Sequence, residues 1–330
     1  MPPPQALGGP DPLRNVVDAL IIGAGPAGLS AALALGRVMR SAAVFDSHQY
    51  RNEASEHVHT VPLHDHENPA TIRASMKQEI ANKYKTIIFT DTTAVTAKEE
   101  AGVFEVMDES GKEWKGRKII LAIGCRDILP DIPGFNEGWG KSIIHCLFCR
   151  GFEESQGTAL RTALLVPNEL STQDKEDFLV YSQLLFQFSS RPTVLLNGNA
   201  TNPSHAAISA IAVTRGLGIQ AKAIRKLDAG DPASQAKVEY SDGTVESFDL
   251  IFHHPRTQLR GDMADRLGLE LTESGNIMVS GCLQSTSRHG VFAAGDCATD
   301  VKQVAVAIGQ GVSAGIGANF QIVEEDVARS

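Results

Sequence analysis

One stretch near the N-terminus restricts the fold more than any other. Val16-Val17-Asp18-Ala19-Leu20-Ile21-Ile22 is short and mostly apolar, the pattern of a buried strand. It runs into Gly23-Ala24-Gly25-Pro26-Ala27-Gly28, a complete GxGxxG, and then into a helical stretch from Leu29 to Arg40. A second apolar strand, Ala42-Ala43-Val44-Phe45, ends in Asp46. In this order the first glycine makes a tight turn, the second lets the backbone reach a pyrophosphate, and the third lets helix and strand pack closely. The helix N-terminus offers free N–H groups and a positive dipole end to phosphates. Asp46 follows at about the 20-residue spacing that suits a ribose hydroxyl. GxGxxG by itself is weak evidence, but strand, glycines, helix, strand and acid in sequence predict a dinucleotide-binding α/β unit.

Later segments extend the same frame. Ser47-His48-Gln49-Tyr50-Arg51-Asn52 and His57-Val58-His59-Thr60-Val61-Pro62 form a polar loop able to follow a cofactor outward, with Ser47, Arg51 and His59 as candidate contacts. Four histidines fall between His57 and His66, but no carboxylate–histidine spacing on a helix accompanies them. No metal site is therefore expected. Asn68 to Tyr84 reads as a helix, and a strand-rich meander follows, with a turn at Ser110-Gly111. Ile119-Ile120-Leu121-Ala122-Ile123-Gly124 is another buried strand; its terminal glycine suits close approach of backbone to a ligand, with Ala122 beside it. Near the C-terminus Gly290-Val291-Phe292-Ala293-Ala294-Gly295-Asp296 is an apolar strand whose Asp296 can take a sugar-chain hydroxyl. Gln303-Val304 then opens a helix of small residues, whose N–H groups can stabilise negative charge on a cofactor.

Between these segments lies His145-Cys146-Leu147-Phe148-Cys149-Arg150. The chain has five cysteines, and this is their single close pair. Half of a structural zinc site would need a second ligand pair, and no other CxxC, CxxH or HxxC exists. The spacing points to a redox couple. Cys125, Cys282 and Cys297 read as structural singles. Such cysteine usage is not a secreted disulfide framework and fits a reducing, cytoplasmic setting. A formal net charge of −9 argues against nucleic acid or an anionic membrane as partner. Neither a signal peptide nor a run of about 20 apolar residues is evident.

What one segment lacks is equally informative. Thr162-Ala163-Leu164-Leu165-Val166 is a good first strand for a second dinucleotide fold, yet Pro167-Asn168-Glu169-Leu170-Ser171 follows where glycines should. Pro167 removes an N–H and Glu169 sets negative charge where phosphates would lie. The next strand, Thr193 to Leu196, ends in Asn197-Gly198-Asn199, without the basic cluster that would hold a 2′-phosphate. The second fold is expected to persist while its nicotinamide site is lost. Breaks at Pro130 to Gly134 and at His253-His254-Pro255 mark the crossings between domains. The expected organisation is a flexible segment over 1–14, a dinucleotide-binding domain over 15–130 and 254–330, and an inserted domain over 131–253.

With GAGPAG, CxxC and GVFAAGD in that order, the chain resembles the low-molecular-weight thioredoxin reductases over nearly its whole length. The stretches Phe45-Asp46-Ser47…Tyr50-Arg51-Asn52, His57 to Pro62 and Cys146-Leu147-Phe148-Cys149…Gly151-Phe152-Glu153 resemble more specifically the dithiol oxidases of the gliotoxin and holomycin type. The resemblance implies an α/β fold of two Rossmann-like domains, the second inserted in the first. It also implies FAD, a homodimer, and closure of a disulfide in a small-molecule dithiol with O₂ as acceptor. Cys146 would exchange with the substrate and Cys149 would be the flavin-proximal thiol. The chain departs from the family at Arg150, where related proteins carry Asp or His. Arginine stays protonated and cannot serve as a base. His145 and His254 are the candidates for that role. Two rivals stay open: an NADPH-dependent disulfide reductase and a flavin-bearing redox sensor without turnover.

Overall fold

The computed structural model describes residues 16–155, 160–170, 172–230 and 235–330. The flexible segment expected over 1–14 lies outside the described residues. The chain forms two compact units. One runs to Arg51 and includes Ala70–Arg126 and Gln258–Ser330; the other holds Asn52–Pro69 and Asp127–Thr257. The Asn52–Pro69 loop, which the sequence assigns to the FAD-binding domain, thus groups with the second unit. Its side chains find their partners there: Gly140 sits so close to Ala54 that a Cβ on it would lie 3.2 Å from that residue's carbonyl oxygen.

In the first unit five parallel strands run in the order Ile87–Thr90, Ala42–Phe45, Val16–Ile22, Glu113–Leu121, Val291–Ala293. The two central strands are fully buried at their C-terminal ends, which explains why they read as unbroken apolar runs. Register aligns those ends: Ile22 lies opposite both Phe45 and Leu121, and Ala293 lies opposite Leu121. Gly23, Asp46, Ala122 and Ala294 therefore leave the sheet at one level. The order reverses beside Val16–Ile22, and in open α/β sheets ligands bind at that switch point, outside the carboxyl ends of the strands.

Helix Pro26–Arg37 covers one face and packs on the C-terminal helix Val304–Arg329. The contact is backbone to backbone. A Cβ on Gly311 would fall 2.0 Å from the carbonyl oxygen of Ala27, and one on Gly315 would fall 2.8 Å from that of Ala31. This is why the C-terminal helix is rich in small residues. The strands Ala94–Glu100 and Val103–Asp108 extend the sheet as an antiparallel meander. Its turn is held by Asp108, which accepts hydrogen bonds from Ser110 and from the Lys112 N–H.

The second unit repeats the plan. Its parallel sheet runs Gly218–Gln220, Thr193–Leu195, Thr162–Leu165, Leu250–Phe252, Ile143–Ile144. A separate antiparallel sheet, Ile224–Asp228, Ala236–Tyr240 and Val245–Phe248, takes the place of the meander. Ile143–Ile144 is the edge strand that leads into the cysteine pair, and Leu147–Ser155 is the helix that carries it away.

Candidate active site

The first unit holds a cradle at the carboxyl end of its sheet. Gly23 adopts φ +110°, and a Cβ there would fall 2.2 Å from the carbonyl oxygen of Ala122. A Cβ on Gly28 would lie 1.9 Å from the carbonyl oxygen of Gly23. Gly25 differs: a Cβ there would meet nothing within 4 Å. Two glycines thus serve the protein's own packing, and the third faces open space. Gly25 caps helix Pro26–Arg37 and Gln303 caps helix Val304–Arg329, and neither cap makes a side-chain hydrogen bond. Two helix N-termini therefore keep N–H groups for an anionic ligand. The expected residues Ala24, Pro26 and Ala27 complete the glycine turn. Gly124, at φ +66°, also faces open space.

The polar residues of the cradle are tied to one another. Asp46 is buried, and it accepts from Tyr50 Oη at 2.7 Å and from the His48 N–H at 3.0 Å. Burial and the Asp46 carboxylate push the Tyr50 phenol above its ordinary range. The Arg73 guanidinium stacks on the Tyr50 ring, 3.8 Å from its centroid. Arg51 pairs with Asp296 at 3.3 Å, so two expected cofactor residues are joined. Ser47 follows Asp46 and is exposed. The residue that sequence reasoning missed here is Tyr50, whose signal was its place four residues after the acid. Buried Cys297 donates its thiol to the carbonyls of Leu121 and Ala294, and burial pushes it up to about 12. It is a structural thiol, not a nucleophile.

The second unit holds the cysteine pair, closed as a disulfide with Cα atoms 5.2 Å apart. Cys146 directly precedes helix Leu147–Ser155, and its carbonyl accepts from the Cys149 N–H at 3.2 Å. Positive dipole at this helix start favours thiolate. Phe148 and Phe152, one turn apart, are 67% and 73% exposed, giving the helix an apolar outer face. Arg150 donates to the carbonyl of Gly140 at 3.0 Å. His145 stacks on Trp139, with centroids 5.5 Å apart and planes at 26°. The other histidine at that indole is His253, edge-on at 6.3 Å, and not the expected His254. His254 is carried to the end of strand Leu250–Phe252, where it lies 3.8 Å from Asp177 and against the Tyr181 ring. Side chains alternate along an extended chain, so neighbouring histidines face different surroundings. His59, expected at the cofactor, hydrogen-bonds through Nδ1 to the carbonyl of Cys149.

In the second unit Pro167 to Leu170 follow the strand Thr162–Leu165. The carbonyl of Pro167 accepts from Nε2 of the fully buried His205, which fastens the turn where a glycine nest would open. Glu169 pairs with Arg256 at 3.6 Å. The cleft beyond the strand is lined by Leu164, Val166, Leu170, Phe178, Tyr181 and Ile208, together with Asp177 and His254. It is apolar with an acidic group, a poor setting for phosphates.

Comparison with known proteins decides the family. The model described as pyridine nucleotide-disulphide oxidoreductase matches residues 17–165 and 191–311. The chain belongs to that family. It is thus a flavoprotein oxidoreductase that acts on sulfur groups. Among its relatives is thioredoxin reductase sirT of Leptosphaeria maculans, 43% identical over 95% of this chain and 97% of that protein. Thioredoxin reductase tcpT of Claviceps purpurea is 38% identical, over 94% and 96%. A solved oxidoreductase from Agrobacterium tumefaciens superposes with a TM-score of 0.81 at 30% identity, covering 93% of this chain and 99% of that one. The doubled α/β fold of the oxidoreductase agrees with these likenesses. No helix among the described residues is long and apolar enough to cross a membrane.

Proposed function

We propose that this oxidoreductase is an FAD-dependent dithiol oxidase that closes a disulfide in a small apolar molecule, with O₂ as final acceptor. The observation that carries the reading is the second unit, where His205, Glu169 and an apolar cleft stand in place of a phosphate nest. A chain unable to take electrons from a nicotinamide must draw them from its thiol substrate. The names of its relatives favour the rival reading, an NADPH-dependent reductase.

One substrate thiolate attacks Sγ of Cys146, breaking the Cys146–Cys149 bond and freeing Cys149 as thiolate. The second substrate thiol loses its proton and attacks the substrate sulfur of the mixed disulfide. The product leaves with its new S–S bond, and Cys146 and Cys149 have gained two electrons. Rates follow the thiolate fraction of each attacking sulfur. The helix start favours the Cys149 thiolate, and His145, adjacent in the chain to Cys146, is the group we assign to proton transfer. Phe148 and Phe152 offer the apolar face for the substrate. FAD, when bound, supplies the two-electron relay from the reduced pair to O₂, which leaves as H₂O₂. The cradle would hold it, with Gly25 facing open space at the pyrophosphate and Asp46 and Asp296 as the residues that would take its hydroxyls. From the family resemblance we take the protein to be a homodimer, and from its cysteine usage a cytoplasmic one.

The test is oxygen consumption with a small apolar dithiol and no nicotinamide. We expect one H₂O₂ per disulfide formed. Turnover of a disulfide that needs NADPH, with no dithiol-driven oxygen uptake, would sink the proposal.

A further inference from the structure

Three polar atoms converge beside the cysteine pair, and no residue of the cradle or the disulfide accounts for them. They are Nε2 of His59, Nδ1 of His66 and Oε1 of Glu153. His59 Nε2 lies 3.0 Å from His66 Nδ1 and 3.2 Å from Glu153 Oε1; His66 Nδ1 lies 3.6 Å from the same oxygen. The two histidines come from the Asn52–Pro69 loop and the glutamate from helix Leu147–Ser155, all within the second unit.

The other nitrogen of each ring fixes what these atoms can be. His59 Nδ1 meets the carbonyl of Cys149, which has no proton to give, so Nδ1 must donate. In the neutral ring His59 Nε2 then presents a lone pair. His66 Nε2 faces Asp65 Oδ2 at 3.5 Å, an arrangement that likewise turns a lone pair on Nδ1 toward the centre. Glu153 Oε1 is an acceptor. Three lone pairs facing one another at these distances repel unless a positive centre lies between them. Zinc bonds of about 2.0–2.1 Å to nitrogen and oxygen give tetrahedral edges of about 3.4 Å. The observed edges bracket that value. Each imidazole also has the carbonyl or carboxylate partner that orients metal-bound histidines.

We propose that His59, His66 and Glu153 bind one divalent cation of the zinc type, with a fourth position open to water. The ion ties the Asn52–Pro69 loop to the helix that carries Cys149. His59 alone is deeply buried, with 8% of its side chain exposed, whereas that of His66 is 56% exposed, so the ion enters from the His66 side. The sequence hid this site because its carboxylate lies 87 residues after the last histidine of the cluster, on another element. The inference does not rest on the oxidase reading.

The experiment uses the full-length, flavin-loaded protein with its disulfide closed, freed of any affinity tag and stripped with a chelator. Zn²⁺ binding is read by equilibrium dialysis and elemental analysis. We expect one equivalent, weakened roughly 100-fold or more in both His66→Ala and Glu153→Gln, and roughly 10-fold in Asp65→Ala. Binding should persist when both cysteines are serine, which separates this site from thiol capture. The exposed position of His66 leaves the fold intact, checked by flavin content and melting temperature, and Glu153→Gln is the second, independent variant. Less than one equivalent at saturating Zn²⁺, or equal affinity in wild type and Glu153→Gln, would overturn the proposal and leave a proton shared among the three side chains as the positive centre.

Discussion

Gly25 and Gly28 are three residues apart, and the structure gives them opposite roles. A methyl on Gly28 would stand 1.9 Å from the Gly23 carbonyl oxygen and 3.3 Å from the Ala122 Cβ. Neither neighbour is a flexible side chain, so backbone must move by about an ångström. Overpacking of this kind costs about 3 kcal/mol. At roughly 2–4 °C per kcal/mol for a unit of this size, Gly28→Ala should lower the melting temperature of the apoprotein by about 6–12 °C. A methyl on Gly25 meets no protein atom within 4 Å, and Gly25 has φ −72°, which alanine adopts freely. Gly25→Ala should leave the apoprotein melting temperature unchanged. It should instead intrude on the space for the cofactor, at about 1–3 kcal/mol, or roughly 5- to 150-fold in Kd. The assay is differential scanning fluorimetry of both apoproteins, paired with FAD titration followed by flavin fluorescence. A Gly25→Ala protein that binds FAD as tightly as wild type would refute the placement of the phosphates. A Gly28→Ala apoprotein with unchanged melting would refute the packing argument.

Other consequences can be checked alongside. Lys118 is buried and paired with Glu325, so Glu325→Gln should cost roughly 3 kcal/mol, the low end for a broken buried pair because the glutamate is partly exposed. Burial pushes Glu325 up, but hydrogen bonds from Lys118, His289 and Arg117 outweigh it and hold the carboxyl below its usual range. Its stabilisation is therefore complete above about pH 4.3 and is lost as pH falls through the lower folded value, and Glu325→Gln should flatten acid denaturation in that window. Cys149→Ser should abolish turnover, and its free Cys146 thiolate, given the disulfide product, should open that S–S bond and hold the molecule as a mixed disulfide, seen by mass spectrometry; full turnover would sink the assignment. Phe148→Ser and Phe152→Ser should each raise KM for an apolar dithiol by roughly 5- to 30-fold, about 1–2 kcal/mol of lost apolar contact, with little change in kcat.

The sequence made the first unit legible because its signals are local. GxGxxG works only between a strand and a helix, and apolar runs such as Ile119 to Leu121 mark strands buried on both faces. The cysteine pair was visible for the same reason. The fate of the histidines was not, because it depends on which element each loop meets. His59 looked like a cofactor residue from its loop, and only the folded chain brings it to the Cys149 carbonyl. His254 and His253 are indistinguishable by type, yet strand alternation sends one to Asp177 and the other to Trp139. The anchoring of the Pro167 turn by His205 likewise joins residues whose pairing no spacing rule encodes.

Anaerobic mixing of the flavin-loaded protein, separately with NADPH and with a small apolar dithiol, tests the central claim most directly. The account predicts that the dithiol alone bleaches the flavin absorbance and that air restores it. Rapid bleaching by NADPH, with none by dithiol, would contradict it and return the second nucleotide half to a working reductase site.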